Sequence, residues 1–391
     1  MKSIGLCLAG LALGLTASGA QAQLAVSAND GKQPRLGQKP SDVKPDNVTV
    51  IDLNSYPPRV IGKVEVPVSM IGPPTIVGVA RDASFAIVTN GQKLDPADNS
   101  KFILDDTVSV IDLKDPTNPK VIQTIKAGDG ASGVAINRAG TLALVAATGE
   151  GTISVYSIAN KTLTLANKLQ LDAKAGPVDV AISPDGKTAL VTQRRGNGIW
   201  RLAIDGTKVT DTGTMYPTGG NPYGSVFSRD GRYAYNTNLQ GTLPPEGTPP
   251  QRGPRIGTVS VIDLKTDKIV NQVEVGPTPE HVAISPDGRY LEVTVVNGSS
   301  ANPTSAQFSP FGLLQVYRLN GPILTLVAQA QTGQWGQGAT WSKDSRTILL
   351  QGAVAREIEV YRFDGTSLKR DMDATLKFDT RPGAISTAQS R

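Results

Sequence analysis

Two short motifs alternate along this 391-residue chain, and their recurrence limits the possible folds more than any other feature. The first is a six-residue run of alternating apolar positions ending in Leu, Ile or Phe. It occurs as VTVIDL (48–53), VSVIDL (108–113), ISVYSI (153–158), IWRLAI (199–204), VSVIDL (259–264), LQVYRL (314–319) and IEVYRF (358–363). The second is a Ser-Pro-Asp-Gly-like turn leading into a short apolar run, and it precedes six of these copies. It reads RDASFAIV (81–88), NRAGTLALV (137–145), SPDGKTALV (183–191), SRDGRYAYN (228–236), SPDGRYLEV (285–293) and SKDSRTILL (342–350). In such a turn Pro presets φ, Asp bonds back to the backbone and Gly accepts conformations closed to other residues, so the chain reverses between two strands. Period-two alternation on both sides argues for β-strands throughout and against helix.

Successive copies of the first motif lie 60, 45, 46, 60, 55 and 44 residues apart. Four short strands with tight turns fill the shorter steps, which is the size of one blade of a β-propeller. Read from the axis outward, strand a is the run before the turn (PVDVAIS, 177–183) and strand b follows it (TALVTQ, 188–193). Strand c is the six-residue motif, and d is a more polar outer strand such as KIVNQVEV (268–275). Seven c strands predict an all-β, seven-bladed β-propeller over residues 23–391. The chain ends predict how the ring closes. RPGAIS (381–386) is a strand a with no b after it, whereas LAVSAND (24–30) reads as a strand b running on to VTVIDL. The last blade would take a from the C-terminus and b, c and d from the N-terminus, leaving no open edge. A linear solenoid would want polar capping repeats at both ends, and none is visible.

These units resemble the YVTN-type seven-bladed β-propeller family, through AIVTN (86–90), ALVTQ (189–193), YNTN (235–238), SPDG (183–186 and 285–288) and VSVIDL (108–113 and 259–264). The resemblance covers almost the whole chain after residue 22 and implies the propeller fold. It also implies a group that holds lactonases of the phosphogluconolactonase-like type beside exported surface and binding propellers. Its motifs are turns and strands, so it assigns no catalytic residue.

The 39 Lys and Arg against 34 Asp and Glu are spread along the chain and form no basic arm, which argues against a nucleic-acid grip. One Cys and one His exclude a Cys/His zinc site and a disulfide framework. There is no Cys-x-x-Cys-His haem attachment, phosphate-binding Gly-rich loop or Gly-x-Ser-x-Gly elbow, and no cofactor is expected. At the N-terminus, Met1-Lys2, the apolar run from Ile4 to Ala17 and Ala20-Gln21-Ala22 predict a signal peptide, residues 1–22, cleaved before Gln23. The mature protein is therefore expected to be periplasmic or secreted, thiol-free and monomeric. No later run approaches the roughly 20 apolar residues that spanning a bilayer needs.

Function is sought where length has been added. The longer steps carry extra residues between b and c, at Gly91 to Asp106, Leu239 to Gly257 and Gly298 to Gly312, with a comparable stretch from Gly31 to Asp46. In a propeller the b–c and d–a connections emerge on one face, so these insertions crowd one mouth of the axial channel, where binding residues collect. The plain alternative is a set of tolerated surface insertions. The Pro-rich stretch 242–255 predicts a stiff, extended loop.

The d–a connections bring Asp129, Lys174, Tyr223, Glu280, His281, Trp335, Gln337 and Arg381 to the same mouth. Asp179 and His281 share a register, four residues before Ser183 and Ser285 and two blades apart. One reading is an acid/base site for opening a lactone. His281 would be the base, Glu280 or Asp179 would orient it, and Lys174 or Arg381 would hold an anionic substrate, with Tyr223, Trp335 and Gln337 as further contacts. The other is that a sole His near an Asp is a hydrogen-bonded structural residue. Asp95, Asp98, Asn99, Asp105 and Asp106 offer calcium-type oxygens, but their spacing departs from an EF-hand loop and no metal is assigned. Trp341, in a strand a, belongs to the core on this reading, and Trp335, in a Gly-flanked loop, is a ligand candidate. The sequence thus leads to an exported propeller that binds an unidentified protein or small molecule through its insertion face. A lactonase and a nucleic-acid-binding propeller are the alternatives.

Overall fold

The computed structural model describes residues 23–32, 43–69, 73–172, 174–241 and 255–388, so the segment 1–22 and its cleavage site lie outside the described residues. Within them the chain forms 28 strands, numbered β1–β28 in chain order, in seven four-stranded antiparallel sheets. The protein is a seven-bladed β-propeller. No helix among the described residues is long and apolar enough to cross a membrane.

Six blades follow the sequence, from β4-β5-β6-β7 to β24-β25-β26-β27. The seventh has the order β28-β1-β2-β3, joining β28 (Arg381–Thr387) to β1 (Leu24–Asp30), β2 (Asn47–Asp52) and β3 (Arg59–Glu65). Ala25 lies opposite Thr387 on one side of β1 and opposite Ile51 on the other, so the expected closure is the one the molecule uses. Side chains brace the joint. Gln351 Nε2 donates to Ser27 Oγ (3.0 Å) and to the Ala384 carbonyl (2.9 Å), and Asn47 Nδ2 donates to Thr380 Oγ1 (3.2 Å).

The a strands form the inner ring: β4 (Val77–Val79), β8 (Ala131–Ile136), β12 (Pro177–Ile182), β16 (Pro222–Phe227), β20 (Pro279–Ile284), β24 (Gly336–Trp341) and β28. Each touches the next, and β28 touches β4. Strands a, b and c are buried almost throughout, whereas an outer strand such as β7 (Lys120–Lys126) alternates between exposed and half-buried positions. The core therefore lies between neighbouring sheets, as where Leu144, Ile153 and Val155 pack with Val180 and Val191 of the next blade. The a–b turns close by the expected bonds: Ser183 Oγ donates to Asp185 Oδ1 (2.6 Å) and Thr188 N–H donates to Ser183 Oγ (3.0 Å). The same pattern recurs at Ser228, Ser285 and Ser342.

One insertion differs from a loop. β5 (Phe85–Asp95) and β6 (Asp98–Asp112) run past the blade as a long hairpin, with Gln92 opposite Leu104 and Leu94 opposite Phe102. Alternating residues on both arms let the backbone groups of the insertion pair with each other. Of the other insertions, Gly298 to Gly312 is a chain of turns, while residues 33–42 and 242–254 lie outside the described residues.

A second repeated device was not anticipated. In six blades the a–b pairing gains one residue on the a or β28 side at the same end of the strand, for instance between Pro222 and Ser225, Pro279 and His281, and Gly336 and Ala339. Such β-bulges re-aim side chains and leave local N–H groups unpaired. The ring beside them is too tight for a side chain everywhere: a Cβ on Gly133 would lie 2.7 Å from the Asp179 Cα. Gly133→Ala should therefore cost about 1–3 kcal/mol in urea denaturation. Gly383→Ala, whose Cβ would come no closer than 3.8 Å to a neighbour, should leave stability unchanged or raised.

Candidate ligand site at the channel mouth

The d–a connections enter the inner ring through a residue in the left-handed region. Two blades use glycine there, Gly130 (φ +75°) and Gly176 (φ +62°), and the next three use Asn221 (φ +51°), Thr278 (φ +58°) and Trp335 (φ +53°). A β-branched or large aromatic residue in that region is strained, and such strain persists only where the surroundings hold it. Trp335 is held on both sides of its peptide: its N–H donates to Ser299 Oγ (2.9 Å), and its carbonyl accepts from the Ala353 N–H (3.0 Å).

The bulges then deliver Tyr223, Glu280 and Gln337, equivalent residues of three neighbouring blades, to the same mouth. Arg381 donates through Nε to Asp30 Oδ2 and through Nη1 to Gln337 Oε1, both at 3.3 Å, and lies over the Trp335 ring, 5.1 Å from its centroid. Gln337 Nε2 donates in turn to Glu280 Oε2 (3.2 Å). Arg194 lies over the Tyr223 ring at 5.0 Å. Beside this group opens a cleft of about 530 Å³, with Gln92, Leu104, Ser132, Thr148, Arg194 and Arg195 among its lining.

Three properties mark the group as a site. Burial raises the Glu280 carboxyl to about 7, against the pull of Arg194, the Trp335 indole and Arg381. The Tyr223 hydroxyl is pushed up by burial and by the nearby Glu280 charge, and it takes no hydrogen-bond partner among the described residues. The Trp335 Nε1–H is sealed from water and points toward Glu280 without a well-aligned bond to it. Gln193 Nε2, at the end of a neighbouring b strand, has no acceptor among the described residues.

Glu280, Gln337, Trp335, Arg381 and Tyr223 are thus brought together, whereas the other residues singled out in the sequence lie apart from them. Lys174 is exposed on the rim, with only its backbone bonded, to Asp172 and Arg195. Asp129 is exposed as well, its N–H turned to Glu150. The carboxylate at His281 is neither Glu280 nor Asp179 but Glu292, whose Oε1 lies 2.7 Å from Nδ1. The reason is visible in the bulges. Asp179 Oδ2 accepts from the Ser225 N–H (3.0 Å), and the Ala339 N–H points at His281 Nδ1 (3.3 Å). Each side chain crosses to the next blade and meets an N–H that the bulge has freed. Nδ1 faces both the Glu292 carboxylate and the Ala339 N–H and bonds to only one of them in a given tautomer, and Nε2 takes no partner among the described residues.

Glu292 and Arg194 were missed, and both left a signal. Glu292 is an acidic residue at a position where other b strands carry Leu190, Tyr235 or Leu349; Arg194 directly follows a b strand and so belongs to the insertion face. The acidic hairpin residues are drawn elsewhere: Asp105 pairs with Lys93 (2.7 Å) and Asp106 with Lys126 (3.1 Å). Asp95 and Asp98 accept from Ala97 and Ser100, and the side chain of Asn99 lies outside the described residues. Trp341 is core, with its Nε1 donating to the Ala283 carbonyl (3.3 Å).

No family model matches the chain. A stretch of 108 residues is 30% identical to antigen Lp49 of Leptospira interrogans, covering 27% of this chain and 23% of that protein, so the match spans less than a quarter of the relative's length. Over nearly its whole length the chain is similar to a proposed 6-phosphogluconolactonase from Bacteroides uniformis, with a TM-score of 0.72 and 15% identity over 94% of this chain and 100% of the other. It is also similar to the periplasmic gluconolactonase of Pseudomonas aeruginosa, with a TM-score of 0.66 and 14% identity over 94% and 99%. At these identities the likeness is one of fold.

The raised Glu280 carboxyl has a thermodynamic signature. Between its ordinary value of 4.5 and about 7 the folded protein keeps a proton that the unfolded chain gives up, so Glu280 costs stability increasingly as pH rises through that window. Glu280→Gln should melt a few degrees above the parent at pH 8, with the gap closing near pH 5. Scanning calorimetry at both pH values checks this, and an equal gap at both would contradict it.

Proposed function

We propose that this protein is exported and works as a binding propeller, taking a small polar, hydroxylated ligand at the mouth formed by Tyr223, Glu280, Trp335, Gln337 and Arg381. The observation that carries this reading is the Trp335 indole N–H, buried beside a bonded chain of polar groups with only a poorly aligned contact to Glu280. Buried N–H groups without a well-made bond are rare in folded proteins, and a ligand hydroxyl or carboxylate supplies one. Arg194 and Arg381 favour a ligand with negative charge, and the free Tyr223 hydroxyl and Gln193 amide can each add a hydrogen bond. Export rests on the N-terminal segment, and N-terminal sequencing of the recovered protein should begin at Gln23.

A second reading, hydrolysis of a sugar lactone, is favoured by the Glu280 carboxyl near 7, which populates both protonation states at neutral pH. It is also favoured by the gluconolactonase and the proposed 6-phosphogluconolactonase of similar fold. The carboxylate would take a proton from water as the water oxygen bonds to the lactone carbonyl carbon, with Arg381 facing the developing oxyanion. Cleavage of the bond between acyl carbon and ring oxygen would then be completed by return of the proton to that oxygen, giving a hydroxy acid by net addition of one water. His281, through Nε2, is the other candidate base.

The test is a thermal-shift titration with gluconate, glucose and glucono-δ-lactone, with divalent metals and short oligonucleotides as further arms, followed by lactone turnover measured above the spontaneous rate. Gluconate should raise the melting temperature in a dose-dependent way. Trp335→Phe, which removes only the N–H side of the indole, should weaken binding by about tenfold. A flat titration with every sugar and lactone ends the small-molecule reading. Turnover at the background rate ends the lactonase reading, and turnover unchanged in His281→Ala removes that residue as its base.

A further inference from the structure

The opposite mouth of the channel, ringed by the a–b turns, carries a different chemistry. These turns interlock: the Asp287 N–H donates to Ser345 Oγ of the next turn (3.2 Å), and Arg229 donates through Nε and Nη2 to the carbonyls of Ser285 and Ile284 (both 3.3 Å) in the next blade. The second position of the turn is Arg81, Arg138 and Arg229 in three blades, Lys343 in a fourth, and Pro184 and Pro286 in the remaining two. Arg138, Pro184 and Arg229 line a pocket of about 20 Å³ that opens to solvent and is walled behind by Ala135, Ile136, Ala181, Ile182, Val226 and Phe227. That is room for about one water molecule or one ligand oxygen.

Two guanidinium groups, Arg138 and Arg229, meet at this small opening, and the charge of Arg81 in the neighbouring turn adds to their repulsion. The Arg229 guanidinium is held down at about 10 by burial and by the charges of Arg138 and Arg81, and Arg138 is lowered by burial and by Arg81. The half-buried Arg138 side chain makes no hydrogen bond or ion pair among the described residues. Of the collar carboxylates, Asp287 offsets part of this at Arg229, but none bonds to Arg138. Asp82, Asp230 and Asp287 are each turned back to cap their own turn, accepting from the Ser84 N–H and from Ser228 and Ser285 Oγ. In the Arg138 turn the capping Asp is replaced by Ala139.

We propose that this mouth is a second binding site, specific for a small oxyanion such as inorganic phosphate, seated on the pocket between the guanidinium groups of Arg138 and Arg229, with the nearby charge of Arg81 adding to the attraction. Guanidinium N–H groups suit a tetrahedral or planar oxyanion, which accepts several of them at once. The apolar wall keeps bulk water from one side of the charges, so their field at the opening is less screened than at an open surface. The site is independent of the ligand site at the other mouth.

The test is isothermal titration of the purified protein with sodium phosphate, and with sodium chloride at matched ionic strength. Phosphate should bind saturably at one site, chloride should not, and Arg138→Gln should weaken phosphate binding tenfold or more while keeping the strand signal in circular dichroism. Arg81→Gln, an exposed position, gives the same reading if Arg138→Gln does not fold. In phosphate-free buffer the Arg138→Gln protein should melt at or above the parent temperature, because a repulsive charge has gone. Heat that depends only on ionic strength, or phosphate binding unchanged in both glutamine variants, would overturn the proposal. So would binding lost in Arg194→Gln, which would place the anion at the other mouth.

Discussion

The pairing of β28 with β1 is the contact on which the rest depends. It is main-chain hydrogen bonding between residues more than 350 positions apart, and it converts a row of sheets whose two end members would each leave a flank bare into a ring in which every sheet is covered on both sides. It also assembles the ligand site. Asp30 ends β1 and Arg381 begins β28, so the salt bridge between them exists only in the closed ring. Through Arg381 that bridge fixes Gln337 and the face of Trp335, and through Gln337 it reaches Glu280. Site geometry and ring closure are therefore one cooperative event.

Around the axis the molecule solves a crowding problem by alternation. At one register Gly133, Asp179, Gly224, His281 and Gly338 follow one another from blade to blade, so a side chain from every second blade enters the space that a glycine leaves open. Asp179 accepts from an N–H that a bulge has freed, and His281 Nδ1 faces another beside the Glu292 carboxylate. Without Asp179, the Ser225 N–H would remain buried and unbonded, a cost comparable to a lost hydrogen bond. This accounts for a lone histidine in the ring without any appeal to catalysis, and it leaves Nε2 as the only ring atom with chemistry to spare.

Much of this was legible in the sequence because it repeats. VSVIDL and SPDG recur at blade spacing, and RPGAIS and LAVSAND are incomplete in complementary ways, so blade number and closure follow from strand alternation and turn chemistry alone. The gathering of Glu280, Trp335, Gln337 and Arg381 at one mouth follows from their place between strands d and a. What did not follow was the partner of each side chain. The bulges shift one strand against another by a residue, and such a shift decides whether Asp179 faces His281 or a backbone amide while leaving no mark in the alternation pattern. The length of the β5–β6 hairpin was hidden for a related reason, since its ladder depends on register between two arms that are each unremarkable as sequence.

The bulge has a consequence for how such a ring can change. The inserted residue, found at Ser132, Val178, Tyr223, Glu280 and Gln337 in successive blades, belongs to the channel rather than to any sheet-to-sheet interface. None of them is part of the apolar packing between sheets, although Gln337 and Glu280 bond to each other across blades. Five positions in successive blades thus line one mouth on a fixed frame, and a new ligand preference can arise by exchanging one of them with no repacking of the apolar core between sheets.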